Sequence, residues 1–166
     1  MRSKVFAMFL TLFTVSATVV LSADVFSGTW KINIGKSTFS PGPILQPTGP
    51  NFTTIEAAGN GLKFASDGID AKGRKTHGEY TVTFDGMESF YRQIVDGKPD
   101  PDSAPSTVSL KNIDDHTLEL TFKAAGRVVL VSKLIISPDG KTGTATSTGF
   151  SADGTTTIST VYYDRQ

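Results

Sequence analysis

Between residues 57 and 154 the chain is repeatedly cut by turn signals, each holding a glycine: AAGNG (57–61), DAKGR (70–74), FDGM (84–87), AAGR (124–127), SPDGK (137–141) and SADG (151–154). Asp-Gly and Asn-Gly pairs supply the positive φ angles that tight hairpins need. Short runs separated in this way read as an antiparallel, all-β chain. The runs also alternate as half-buried strands do. YTVTF sets Tyr80, Val82 and Phe84 against Thr81 and Thr83. LELTF sets Leu118, Leu120 and Phe122 against Glu119 and Thr121, and TVSLK sets Val108 and Leu110 against Ser109 and Lys111. A helix would repeat apolar residues every three or four positions, and no window after residue 23 does so. RVVLVSKLII (127–136) is apolar on both faces, which predicts a long central strand or one whose outside is covered by a loop.

Two stretches read as loops. Residues 35–51 hold Pro41, Pro43, Pro47 and Pro50, and residues 96–105 hold Pro99, Pro101 and Pro105. Proline lacks the N–H that a central ladder requires. Neither stretch separates two plausible domains. About eight to ten strands in a meander then have exposed edges to protect, and closure into a barrel is the natural way to do so. The alternative is a two-sheet β-sandwich.

The N-terminus places Arg2 and Lys4 before an apolar run, Val5 to Val20, and closes it with Ser22 and Ala23. That layout predicts a secretory signal peptide over 1–23 and a single domain over 24–166. The protein is therefore expected outside the cytoplasm, in the periplasm or secreted. The run is short for a bilayer span, so no membrane span is expected after the signal is removed. The chain has no cysteine, which excludes both a lipid anchor on cysteine and disulfides. Of the 16 Lys and Arg residues two leave with the signal, while all 16 acids stay, giving a net charge of −2. Nucleic acid is not an expected partner, because phosphate binding needs a basic excess. The oligomeric state is not legible.

The first candidate strand is SGTWKIN (27–33). By period two, Trp30, Ile32 and Ile34 share one face, and Gly28 lets another group approach closely. The chain ends STVYYDRQ, where Val161, Tyr163 and Arg165 share a face. In a meander barrel the first and last strands are neighbours. Arg165 is thus expected across the Trp30 ring, a contact that contributes roughly 0.5–2 kcal/mol.

Gly28-x-Trp30 on the first strand, with a basic residue near the last, resembles the calycin superfamily of lipocalins and fatty-acid-binding proteins. The full length is also similar to a group of small secreted proteins of soil bacteria described as lipocalin-like. It shares their Gly-Thr-Trp-Lys start (28–31), Ser-Pro-Gly-Pro loop (40–43), Thr-His-x-Glu-Tyr strand (76–80) and Tyr-Asp-x-Gln end (163–166). The resemblance implies a barrel with an interior ligand. Two departures qualify it. Fatty-acid-binding proteins carry a helix pair where this chain has the proline-rich 35–51. They also hold a carboxylate with an Arg-x-Tyr pair on the last strand, where this chain has Val161 and Tyr163.

Arg92 is a ligand-binding candidate. In SFYRQIV, Phe90, Arg92 and Ile94 share one face and Tyr91, Gln93 and Val95 the other. Were the first face internal, Arg92 would need a carboxylate or an anionic ligand. Tyr80, Phe122 and Tyr163 are the candidate pocket walls, with plain core packing as the alternative. His77 and Glu79 share a face by parity, and His116 lies with Asp114 and Asp115 at a hairpin tip. Asp96, Asp100 and Asp102 are close in sequence but match no calcium loop. No nucleophile elbow or zinc helix occurs, so no catalytic residue, metal or cofactor is expected. The sequence supports an exported barrel binding a small, mostly apolar molecule. A filled barrel acting as an extracytoplasmic interaction or envelope protein is the alternative. A catalytic barrel would need His77, Glu79 and Arg92 to converge.

Overall fold

The computed structural model describes residues 23–40, 46–100 and 106–166. The predicted signal, apart from Ala23, lies outside them, as do Pro41, Pro43, Pro101, Asp102 and Pro105. A one-turn helix, α1 (Ala23–Phe26), leads into the strands β1 (Gly28–Ile32), β2 (Phe52–Ala57), β3 (Gly61–Ile69), β4 (Lys75–Thr83), β5 (Ser89–Val95), β6 (Lys98–Pro99), β7 (Ser106–Asp114), β8 (Thr117–Ala124), β9 (Arg127–Ile136), β10 (Thr142–Phe150) and β11 (Thr156–Arg165). Successive long strands pair antiparallel, and β11 returns to β1 with Trp30 opposite Arg165 and Ile32 opposite Tyr163. β6 only folds back on β5, so ten strands form the closed wall. The fold is a meander barrel and not a sandwich.

The turn glycines close the wall. Gly59, Gly73, Gly86, Gly126, Gly140 and Gly154, one in each of the sequence-read turns, all have positive φ. Period two then sorts the strands. Val82, Leu62, Val108, Leu110, Leu118, Leu120, Leu134 and Ile136 point inward and are buried. Glu79 and Lys63 face out and form an ion pair of 2.8 Å.

Three local expectations change and one alternative is decided. α1 was not legible, because one turn is too short to show a helical period; it is held by burial of Phe26 in the core. Ile34 leaves the strand, since Asn33 starts a turn in which its backbone and side-chain oxygens accept the Lys36 N–H at 3.2 Å. Within the 96–105 loop, Pro99 pairs opposite Ile94, and the bond beside it is made by the Asp100 N–H donating to the Gln93 carbonyl at 3.3 Å. Of the two alternatives for 127–136, the long central strand holds, since β9 pairs with both β8 and β10, and no loop covers it: Ile135 and Val128 are exposed.

β5 divides its partners. Arg92–Val95 pairs with β4, whereas Ser89–Tyr91 pairs with β7. The β4–β5 ladder therefore stops at Glu79 and Arg92.

Candidate functional site

One end of the barrel is plugged. Phe26 from α1 is buried, and its carbonyl accepts the Trp30 indole N–H at 2.9 Å. Trp30 is only 2% exposed. The Arg165 guanidinium carbon lies 5.1 Å from the centre of the Trp30 ring. The same guanidinium donates to the Gly140 carbonyl at 3.1 Å and to the Ser27 carbonyl. It thus fastens the start of β1, the β9–β10 turn and the end of β11 together. Gly28 makes this possible: its φ is +134°, and a Cβ there would stand 2.9 Å from Arg165 Nε.

Inside the plug lies a cavity of about 120 Å³, lined by Trp30, Ile55, Phe64, Tyr80, Leu120, Leu134, Ala145 and Tyr163, with Thr53, Ser66 and Ser132. No Asp, Glu, Lys, Arg or His lines it. Thr53, Ser66 and Tyr163 are shared with a second, more polar chamber of about 200 Å³, whose lining includes Asn51, Asp67, Thr76, His77, Tyr91 and Gln93. The volume comes from small inward residues. β10 reads Gly143, Ala145, Ser147, Gly149 along its inner face, all buried, and Thr142, Thr144, Thr146, Thr148 along its outer one. The inner hydroxyls are paired across strands, Ser147 to Ser132 at 2.8 Å and Thr53 with Ser66 at 3.0 Å.

Of the sequence candidates, Tyr80, Phe122 and Tyr163 are brought together. Tyr80 stacks on Phe64 at 4.9 Å and meets Tyr91 and Phe122 edge-on, each at 5.7 Å; Tyr91 and Phe122 are 6.0 Å apart. Burial pushes the Tyr163 phenol up to about 12. It raises Tyr80 well above the ordinary tyrosine value, with the nearby Tyr91 and Tyr163 phenols adding to the effect. Tyr91 is raised by burial alone. All three are neutral hydroxyls near neutral pH. Tyr80 and Tyr163 line the inner cavity, while Phe122 supports the Tyr80 and Tyr91 rings from the side.

Arg92 takes the outward of the two arrangements left open by the sequence. Tyr91, Gln93 and Val95 take the inner face of β5, which turns Arg92 and Phe90 outward, and Phe90 is 83% exposed. Charge on Arg92 stays in water, the cheaper arrangement. His77 and Glu79 do not pair. His77 Nδ1 meets Asp67 Oδ1 at 2.8 Å across the β3–β4 ladder, and Lys63 takes Glu79 and holds its carboxyl below the usual range. The three do not share one pocket: His77 borders the second chamber with Asp67, while Glu79 and Arg92 border a separate groove with Phe90. His116 sits in its hairpin, its N–H donating to Asp114 at 2.9 Å and its carbonyl accepting from Ile136 at 2.9 Å. Asp96 accepts the Lys75 N–H at 3.0 Å, a turn contact. Among the described residues no group of three or more His, Cys, Asp or Glu is placed to hold a metal.

Sequence reasoning missed Ala145, Ser132, Ser66 and Thr53 in the cavity wall, and Tyr91 in the aromatic group. The signal for the first was present in TGTATSTG, a strand whose inner side has no bulk. Val161 is buried and apolar. Compared with models of known families and with curated proteins, the chain matches none.

Proposed function

We propose that this protein is an exported barrel that binds one small, uncharged, mostly apolar molecule in its interior. The observation that carries this reading is the inner chamber behind the Trp30 plug, lined mainly by apolar and aromatic side chains with no ionised group, next to a more polar second chamber that reaches Gln93, Asp67 and His77. An apolar cavity of roughly 150 Å³ takes benzene. The inner chamber, at about 120 Å³, is thus of single-ring size, and both chambers together are small for a long acyl chain. The calycin-like start and end of the chain support the same reading by analogy of fold, which alone does not assign function.

Trp30 lines the cavity and reports on it. Titration of the mature protein with a panel of small lipophiles is expected to shift Trp fluorescence. Native mass spectrometry of protein from its own host is expected to show an extra mass that leaves on denaturation. Ala145→Leu puts an isobutyl group into the inner chamber and is expected to weaken binding at least tenfold while leaving the denaturation midpoint unchanged or higher. A clean mass together with no response to any lipophile would sink the proposal. It would favour a filled barrel acting through its outer surface, for which the exposed Met87 and Phe90 are the supporting observation.

A further inference from the structure

The barrel wall is not bonded evenly all the way round. β4 runs on to Thr83 and β5 starts at Ser89, yet the ladder between them ends at Glu79 and Arg92. The first residues of β5 cross to β7 instead, with Ser89 opposite Val108 and Tyr91 opposite Ser106. A seam is left between Tyr80–Thr83 of β4 and Ser89–Tyr91 of β5, where no ladder pair joins the two strands.

Side chains close this seam from within. Tyr80 meets Tyr91 and Phe122 edge-on, each at 5.7 Å. Outside, a groove lined by Glu79, Tyr80, Thr81, Phe90 and Arg92 lies over the seam. Tyr80 therefore borders both the groove and the inner chamber. Phe90 stands at the rim in solvent, and Met87 in the turn before it is exposed too. Exposed apolar side chains beside a groove mark a contact site for apolar matter. The other ways in are less suited to such a molecule. The Trp30 end is covered by Phe26 and Arg165. The second chamber leads past Asn51, Asp67, Thr76, His77 and Gln93. An apolar molecule passing there displaces water from groups whose hydrogen bonds it cannot replace.

We propose that the small apolar occupant enters and leaves the inner chamber sideways, through the β4–β5 seam, with Phe90 as the outer apolar lip and the Tyr80 ring as the part that swings aside. This rests on the reading that the interior holds such a molecule. Opening a laddered wall would strip backbone groups of their hydrogen bonds, which is costly where nothing replaces them. Parting the seam breaks no ladder bond, only ring contacts among Tyr80, Tyr91 and Phe122. The pairing of β4 with β5 from Thr76 to Glu79, and of β5 with β7, holds the register while the seam opens. Phe122 touches the gate without lining the inner chamber, so it sets how easily Tyr80 moves and not what fits inside.

The test is stopped-flow quenching of Trp30, the only tryptophan, by bromobenzene. The chain has no cysteine, so one introduced thiol takes one label. Thr81→Cys carrying a polyethylene-glycol maleimide covers the groove. The same label on Thr146→Cys, on the outer face of β10, is the control. The label at 81 is expected to slow association and dissociation alike by roughly tenfold, with Kd changed by less than about threefold, since a blocked passage alters both rates and not the site. The label at 146 is expected to change neither rate. Phe122→Leu loosens the ring contacts and is expected to speed both rates. Unchanged rates with the label at 81, or equal slowing by both labels, would overturn the seam as the entrance and leave the cavity reading standing. A slower exchange in Phe122→Leu would overturn the role of the ring contacts as the gate. Absence of quenching in the unmodified protein would overturn the cavity reading and the entrance with it.

Discussion

At the scale of single residues, the plugged end depends on the meeting of Gly28, Trp30 and Arg165. The tryptophan is buried by α1 below and by the barrel wall around it, and Arg165 covers its face. Gly28 serves here in two ways, by its φ of +134° and by the space it leaves for Arg165. Gly28→Ala is expected to destabilise the fold by about 1–3 kcal/mol from the backbone conformation, and to add about 0.5–1 kcal/mol by shifting the guanidinium from the ring. Urea denaturation measures the sum. Arg165→Lys retains charge but not the fork that reaches both Ser27 and Gly140. It is expected to cost less than Gly28→Ala, and equal or greater loss would mean that the fork, not the glycine, holds the end.

At the scale of elements, hairpins set the register of the wall. The β8–β9 hairpin turns on Ala125 and Gly126, with φ of 49° and 77°. Two successive positive φ angles define the turn that matches strand twist, and alanine is poorly suited to the first of them. The β5–β6 turn uses Asp96 and Gly97 at φ of 49° and 78°, with a residue that accepts this conformation. Ala125→Asn is therefore expected to raise stability by about 0.5–1 kcal/mol. Differential scanning calorimetry checks it, and an unchanged or lower melting temperature would show that the alanine is not under strain. The same scale explains the cavity. A strand with Gly143, Ala145 and Ser147 on its inner side contributes ladder bonds to the wall but little bulk to the interior.

At the scale of the whole molecule, three buried phenols couple stability to alkaline pH. Their proton affinities are higher folded than unfolded. The folded state thus keeps protons that the unfolded chain gives up. Their contribution is complete below the ordinary tyrosine value of 10 and is lost as pH rises toward about 12, the value for Tyr163. Denaturation midpoints measured from pH 9 to 12 are expected to fall across that interval. The combined Tyr80→Phe, Tyr91→Phe, Tyr163→Phe variant is expected to flatten the fall. An equally steep loss in the variant would assign the alkaline sensitivity to other groups.

What the sequence determined by itself is the wall. Turn glycines and period-two alternation are local signals, since each is set by the φ angles and side-chain directions of a few neighbouring residues. They identify an antiparallel all-β chain, put Trp30, Val82, Leu118 and Leu120 inside, and bring Arg165 to Trp30 once the first and last strands are neighbours. Tertiary structure decided what those signals leave open. SFYRQIV is apolar enough on both faces for either parity, and only packing of Tyr91 against Tyr80 and Phe122 turns Arg92 into water. His77 takes Asp67 rather than Glu79 because β3 brings Asp67 opposite it, a long-range pairing that spacing along β4 does not contain. The cavity likewise belongs to no single strand. Its volume is the difference between the width of a ten-stranded wall and the summed bulk of side chains from many strands, and only closure of the barrel fixes both.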